Sequence, residues 1–412
     1  MAKILYLSYD GLTDPLGQSQ IIPYLEGLSK KGHKIHVVSF EKPHAFHHLN
    51  QVVKEKLSKA NIQWHPQIYH KSPPVFSTLW DLFKMGQAVR KLHKKYNYQI
   101  VHCRSYITSL VGLAMKRKYK VKFLFDMRGF WADERVDGGL WDIKKTIYKI
   151  IYNYFKKQEI AFLENADAVV SLTNNAQHEI NSWSHVNIKA PIHVIPCCVD
   201  LSLFNRNGIN TSEIQAKRKE LEIEKEDFVL TYLGAIGTWY MLDEMLDFFT
   251  VLLEQKPNAK FLFISADRDM IIKKAHTKNI AHKNIIIYKA QRDEVPLLLS
   301  LAQLSVFFIK PAYSKKASSP TKQGELMAMG VPIICNSGIG DTDEIIKRFN
   351  AGEVISDFSP TSYKEVLISL NRIVELNPKS IIEGAYQTYS LDNGIERYSK
   401  IYNDLVYQNN NR

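Results

Sequence analysis

Short apolar runs alternate along most of this chain with longer stretches whose apolar positions recur every three or four residues. The short runs predict strands, because strands of a covered parallel sheet read as near-continuous apolar segments. In the first half they fall at Ile4–Ser8, Ile35–Phe40, Ile100–Cys103, Phe123–Asp126, Ala168–Leu172 and His193–Ile195. A second series lies at Phe228–Leu233, Lys260–Ile264, Ile285–Tyr288, Ser305–Phe308, Ile333–Cys335 and Glu353–Ile355. The periodic stretches between them predict helices, such as Met241–Gln255. Strand–helix alternation of this kind argues for an α/β protein with parallel sheets covered on both faces. The two series predict two doubly wound, Rossmann-like domains, residues 1–197 and 198–390, and residues 391–412 carry the spacing of a closing helix. Ligands of such sheets bind beyond the carboxyl ends of the strands.

Composition agrees with two full cores: 412 residues, 45% hydrophobic and 23% charged. No apolar run is long enough to predict a spanning helix. The opening Met1–Tyr9 reads as a first strand rather than a signal peptide, so a cytoplasmic location is expected. Cys103, Cys197, Cys198 and Cys335 show no Cys-x-x-Cys spacing, which argues against a zinc site or a disulfide framework. His44, His47 and His48 fall in a polar stretch and read as surface.

Charge changes the picture more. Residues 1–200 hold 28 Lys and Arg against 16 Asp and Glu, while residues 201–412 hold 26 against 26. The net +12 therefore belongs to one half, and 51–150 alone count 20 against 7. Such asymmetry points to an anionic partner for that half. Two predicted helices there, Val75–Lys95 and Leu140–Glu159, interleave lysines with aromatic and aliphatic residues. Each alone reads first as a core-facing helix with solvated lysines; the pair, in the basic region, reads equally as helices lying on an anionic membrane, with the basic residues 51–157 as the candidate surface. No stacking-platform motif is present, so nucleic acid is not an expected partner.

The segment from Ser318 to Ile334 reads as a loop, a short helix, a tight turn and a strand. Ser319 is placed to cap the helix and Pro320 to occupy its first turn. Its free amides and dipole would face a phosphate, with Lys322 adding a cation and Glu325 about one turn further in, within reach of a sugar hydroxyl. Glycines open two other strand-end loops: Gly11 and Gly17 after the first strand, and Gly234 and Gly237 in the second half. Arg104 ends a strand and reads either as a cleft residue or as a surface cap. Asp126, Arg128, Phe130, Trp131, Asp133 and Glu134 form the densest polar and aromatic cluster. Asp126 and Arg128 read as a buried ion pair or as a site, with Trp131 and Phe130 as one wall of a pocket.

Glu325, Ala328, Gly330 and Pro332 resemble the donor-site signature of retaining glycosyltransferases of family 4, in which two Glu eight residues apart precede Ala-x-Gly-x-Pro. Eight residues before Glu325 stands Ala317, and Ser318 beside it is read at the first Glu position, so that Glu is missing. Ile195–Phe204 is similar to the family's interdomain entry, with Cys198 in place of a Gly, and the first loop is similar too. The resemblance implies the GT-B fold, two Rossmann-like domains facing across a cleft, the first for the acceptor and the second for the donor, with the last helix returning to the first. It implies a retaining transferase that moves a sugar from a UDP- or GDP-sugar to a glycan or lipid-linked acceptor without a metal or other cofactor. That work would lie at the inner face of the membrane, in polysaccharide or glycoconjugate synthesis.

The donor-binding residues so implied are Gly17, Gly234, Thr238, Lys310, Ser318, Ser319, Thr321, Lys322 and Glu325. Catalytic roles fall to Asp126, Arg128, Glu134 and Glu325, and acceptor contacts to Arg104 and Trp131. Arg128 is the positional match to a family histidine. The Arg and Lys that the family places after the Gly234 strand are missing. Lys310 and Lys322 are their expected substitutes, with Lys315 and Lys316 weaker candidates. A GT-B epimerase and a non-catalytic nucleotide- or glycan-binding relative are the alternatives.

Overall fold

The computed structural model describes residues 1–410; positions 411 and 412 of the expected closing segment lie outside the described residues. Contacts divide the chain into two units, residues 1–196 joined by the segment from 391 onward, and residues 197–390. In the first unit β1 (Lys3–Ser8), β2 (Lys34–Glu41), β3 (Gln63–Ile68), β4 (Ile100–Arg104), β5 (Lys122–Asp126), β6 (Ala168–Ser171) and β7 (Ile192–Val194) form a parallel sheet in the order β3-β2-β1-β4-β5-β6-β7. Register matters here. Ser8 lies opposite Arg104, and Arg104 opposite Asp126, so three strands bring polar residues to one carboxyl edge. The helix Leu391–Asn410 packs on the helix Ile22–Lys30 and on β4, and it buries Tyr398 and Tyr402.

The second unit holds β8 (Val229–Leu233), β9 (Lys260–Ile264), β10 (Ile285–Tyr288), β11 (Leu304–Phe307), β12 (Ile333–Asn336) and β13 (Gly352–Ile355), in the order β10-β9-β8-β11-β12-β13. Its core is aromatic: Phe248 and Phe249 of the helix Leu242–Gln255 meet Tyr363 and Phe261 edge-on or tilted. Each fully buried ring of this kind contributes about 1.5–3 kcal/mol of hydrophobic stabilisation. The helix Thr321–Ala328 lies across the helix Pro378–Tyr389, where a Cβ on Gly324 would stand 3.0 Å from the Tyr389 ring.

Two elements differ from the sequence reading. β3 is absent from it, because Gln63-Trp64-His65-Pro66-Gln67-Ile68 neither alternates nor forms an apolar run. It is an edge strand pairing with β2 alone, a place that tolerates Pro66. The expected helix Leu140–Glu159 instead spans Thr146–Asn165. Gly138 and Gly139 close the preceding helix Trp131–Asp137, and a turn in which the Lys144 amide donates to Asp142 occupies the start of the expected range.

Candidate functional site

At the carboxyl edge of the first sheet Asp126 is fully buried, and its Oδ2 accepts from Tyr398 Oη at 3.1 Å and faces His102 Nε2 at 3.3 Å. Arg128 Nη1 lies 3.9 Å from Oδ1. Arg128 reaches back because its backbone is left-handed, φ +57°, followed by Gly129 at +123°. That conformation costs a residue with a side chain about 1–3 kcal/mol. Arg104, also buried, pairs with Asp10 at 3.4 Å.

Burial pushes the Asp126 carboxyl up, but Arg128, His102 and Arg104 together outweigh it and hold the group below its ordinary range. Burial lowers His102, so the ring is neutral at pH 7. An ionised Asp126 can only accept, so Nε2 carries the His102 proton and Nδ1 accepts from Tyr402 Oη at 2.7 Å. The cavity bounded by Tyr6, Gln20, Arg104, Arg128 and Tyr398 leaves about 10 Å³ for a water's centre, room for one molecule.

The first loop is held by a buried carboxylate. Glu41 accepts from the amides of Leu12 and Thr13 at 2.9 and 3.0 Å and from Thr13 Oγ1 at 2.6 Å. Gly17 sits in the helix Pro15–Gln20, and a Cβ there would fall 2.2 Å from the Gly11 carbonyl oxygen. Its lack of a side chain thus serves loop packing.

Part of the Asp126 cluster is structural. The Trp131 ring stacks on Tyr106 at 5.8 Å, meets Phe155 at 4.8 Å and carries Arg135 at 4.9 Å. The ring is half-buried at the side of this aromatic cluster. Asp133 accepts from Tyr152 Oη and Lys156 at 2.8 and 2.9 Å, which fastens the helix Trp131–Asp137 to its successor. Glu134 is half-buried on the same helix.

In the second unit the helix starts one residue later than a Ser319 cap requires. Pro320 takes the cap position, and Ser319 Oγ accepts the Cys197 amide at 3.1 Å instead. Ser318 and Thr321 are half-buried beside it. Lys322 is buried rather than set at an open mouth. Its Nζ donates to Tyr232 Oη at 2.8 Å and lies 4.0 and 3.6 Å from the centroids of Tyr232 and Tyr240. Gly234, φ +115°, leaves 3.2 Å between an imagined Cβ and that ammonium, so the loop after β8 closes directly over it.

Burial pushes the Lys322 pKa well below its ordinary value, with Glu325 opposing. Lys315, one of the weaker candidates, is buried with its Nζ 3.6 Å from the Trp239 centroid. Glu325 is buried and bonded to Arg292, whose guanidinium also covers the Phe204 ring at 4.8 Å. Burial raises the Glu325 carboxyl, and Arg292 is the main opposing charge. Thr238 and Lys310 are exposed. Sequence reasoning missed His102, Tyr398, Tyr402, Glu41 and Arg292. The polar strand end around His102 was visible, but the other four depend on contacts between distant segments.

Aligned with known proteins, residues 21–203 match the family model described as Glycosyltransferase Family 4, and residues 213–387 match that of Glycosyl transferases group 1. The alpha-monoglucosyldiacylglycerol synthase of Streptococcus pneumoniae is 19% identical over 335 residues, 78% of this chain and 69% of the relative. Sucrose-phosphate synthase from Thermosynechococcus elongatus superposes with a TM-score of 0.72 at 15% identity, over 99% of this chain and all of that one. The Anabaena protein HepE in complex with UDP gives 0.69 at 13%, over 98% and 100%.

Proposed function

We propose a reaction from one premise: the chain belongs to the glycosyltransferases of family 4 and group 1 and has their GT-B fold. The reaction is transfer of a sugar from a UDP- or GDP-sugar to a glycan or lipid-linked acceptor, with retention of anomeric configuration and without a metal. It takes place at the cytoplasmic face of the membrane, which the basic residues 51–157 meet. One observation carries the donor half: Lys322 is buried under the Gly234 loop on two tyrosine faces, with burial working against its charge. A diphosphate beside it restores that charge and is held by it.

The step follows from charge. As the bond from the sugar C1 to the diphosphate oxygen breaks, the leaving oxygen gains negative charge, which Lys322, the amides at the start of its helix and Lys310 stabilise. The acceptor hydroxyl attacks C1 on the same face, and its proton passes to the leaving phosphate. Glu325 takes the ribose hydroxyls, and Gly17, Thr238, Ser318, Ser319 and Thr321 line the donor. Asp126, Arg128 and Glu134 orient the reacting groups, and Arg104 meets the acceptor. Trp131, half-buried on the helix that follows β5, meets the acceptor too.

Thermal shift with a panel of UDP- and GDP-sugars tests the reading. One donor class stabilises the wild type, and Lys322→Ala or Glu325→Ala weakens that donor about ten- to a hundredfold, the usual loss for a charge-assisted bond. Wild-type shifts in both variants would overturn the site. The missing first Glu, at Ala317 and Ser318, favours, as a second reading, a relative that binds nucleotide sugars without turnover; donor binding with no release of nucleotide would select it.

A further inference from the structure

We propose that two helical ridges of the first unit form a docking surface for an anionic lipid bilayer. In the helix Phe76–Tyr96 one stripe, Met85, Val89 and His93, is buried. A second stripe is apolar and uncovered: Phe76, Leu79, Trp80 and Phe83, spaced i, i+3, i+4 and i+7, with Phe76 72% exposed and Trp80 49%. The helix Thr146–Asn165 repeats the pattern. Phe155 and Phe162 face inward, while Ile147, Ile150 and Tyr154 stand out, Ile150 at 60%. Leu140 and Ile143 extend this second ridge into the preceding turn.

The fold puts both ridges on one side and at one end. Both helices pack against Ser105–Tyr119, the crossover from β4 to β5, and right-handed connections place all three on the same face of the sheet. Each helix follows a strand's carboxyl end and runs back, so the exposed N-terminal turns lie along the edge that carries Arg104, Asp126 and Arg128. The first ridge is fixed in place. Asp81 is buried on its inner side and accepts from Tyr9 Oη at 2.9 Å and the His70 amide at 3.1 Å.

Charge identifies the occupant. Residues 71–95 carry six Lys and Arg against one acid, Asp81, which is bonded inward, and residues 140–157 carry five against one, with Lys156 of the five paired inward to Asp133 and Glu159. Lys84, Lys144, Lys145 and Lys149 are exposed among the apolar positions, and Lys84 leans over the Trp80 ring at 5.0 Å. Apolar side chains that enter the interface, ringed by lysines that reach the headgroups, suit an anionic leaflet. Among the described residues no helix is long and apolar enough to cross a membrane, so the ridges lie on the bilayer. This surface deepens the lipid-linked acceptor reading above, on which its purpose rests.

Flotation of the full chain with phosphatidylcholine vesicles, with and without phosphatidylglycerol, tests it. The chain floats with the anionic vesicles at low salt and leaves them at high salt. Phe76→Ser/Trp80→Ser/Phe83→Ser lowers binding by about tenfold or more, and Lys144→Ser/Lys145→Ser/Lys149→Ser by about a hundredfold. Both variants keep the wild-type melt and donor-induced shift, which shows that they are folded. No flotation at low salt, or variants that float like the wild type, overturns the surface and leaves the donor reading standing. Self-association that needs the same apolar residues overturns it too. Flotation without any donor shift sinks the proposed function alone.

Discussion

The two units carry positive charge in opposite ways. The first has 31 Lys and Arg against 18 Asp and Glu, and the second 23 against 24. In the first unit the buried arginines are balanced: Arg104 faces the half-exposed Asp10 and Arg128 the buried Asp126. In the second the total is nearly neutral, yet Lys315 and Lys322 are buried against aromatic rings. Exposed large apolar residues follow the same division. Among the described residues the second unit shows four, Met270, Tyr313, Ile368 and Tyr386, while the first concentrates eleven between Ile68 and Tyr154. A net charge therefore says little about where an anion binds. On the reading proposed above, the neutral unit holds a point site for the donor diphosphate, and the basic one offers a broad face to an anionic bilayer.

The largest expected effect tests the balanced interior. Asp126→Ala leaves Arg128 buried without its carboxylate and removes the acceptor of Tyr398 and His102. Losing one partner of a buried pair destabilises by about 3–5 kcal/mol. Urea unfolding followed by a first-unit probe such as Trp131 reports that loss. A shift of that size in the second unit's transition instead would break the comparison.

The next effect tests the unbalanced site. Lys322 has its folded pKa depressed by burial, so its charged form is disfavoured without donor. A bound diphosphate favours the charged form, so donor binding takes up a proton. Affinity therefore falls as pH rises above the depressed pKa of the free protein, by at most about tenfold per pH unit, until the raised pKa of the complex is passed. Calorimetry in two buffers of different ionisation enthalpy reads the proton directly. Proton release on binding would contradict the assignment, and Lys322→Met should abolish the uptake.

How much of this was legible depends on the range of the contacts. Among the described residues twelve of the thirteen strands show in the sequence, because covered parallel strands advertise themselves by composition alone, whereas β3 is an edge with Pro66 and does not. Lys322 and Glu325 were found because one helix carries both. Their burial was not, since it needs Tyr232 and Tyr240 from the loop after β8. Arg292 comes to Glu325 from the loop after β10. Tyr398 and Tyr402 reach Asp126 and His102 only when the end of the chain returns to β4, nearly three hundred residues away in sequence. Spacing within one segment carries no trace of such pairings.

The smallest effect separates site from scaffold. Thr238 is exposed in the loop after β8, and no core residue depends on it. Thr238→Ala should change stability by less than about 0.5 kcal/mol, the usual range for a surface substitution away from caps and networks. If its hydroxyl meets the donor, the same variant weakens the donor by about two- to tenfold, the worth of one neutral hydrogen bond. Donor titration of a variant with an unchanged melt thus measures a contact that the free protein does not use. An unchanged affinity would remove Thr238 from the donor contacts, leave Lys322 and the start of its helix at their centre, and so sharpen the contrast between a point site and a broad face.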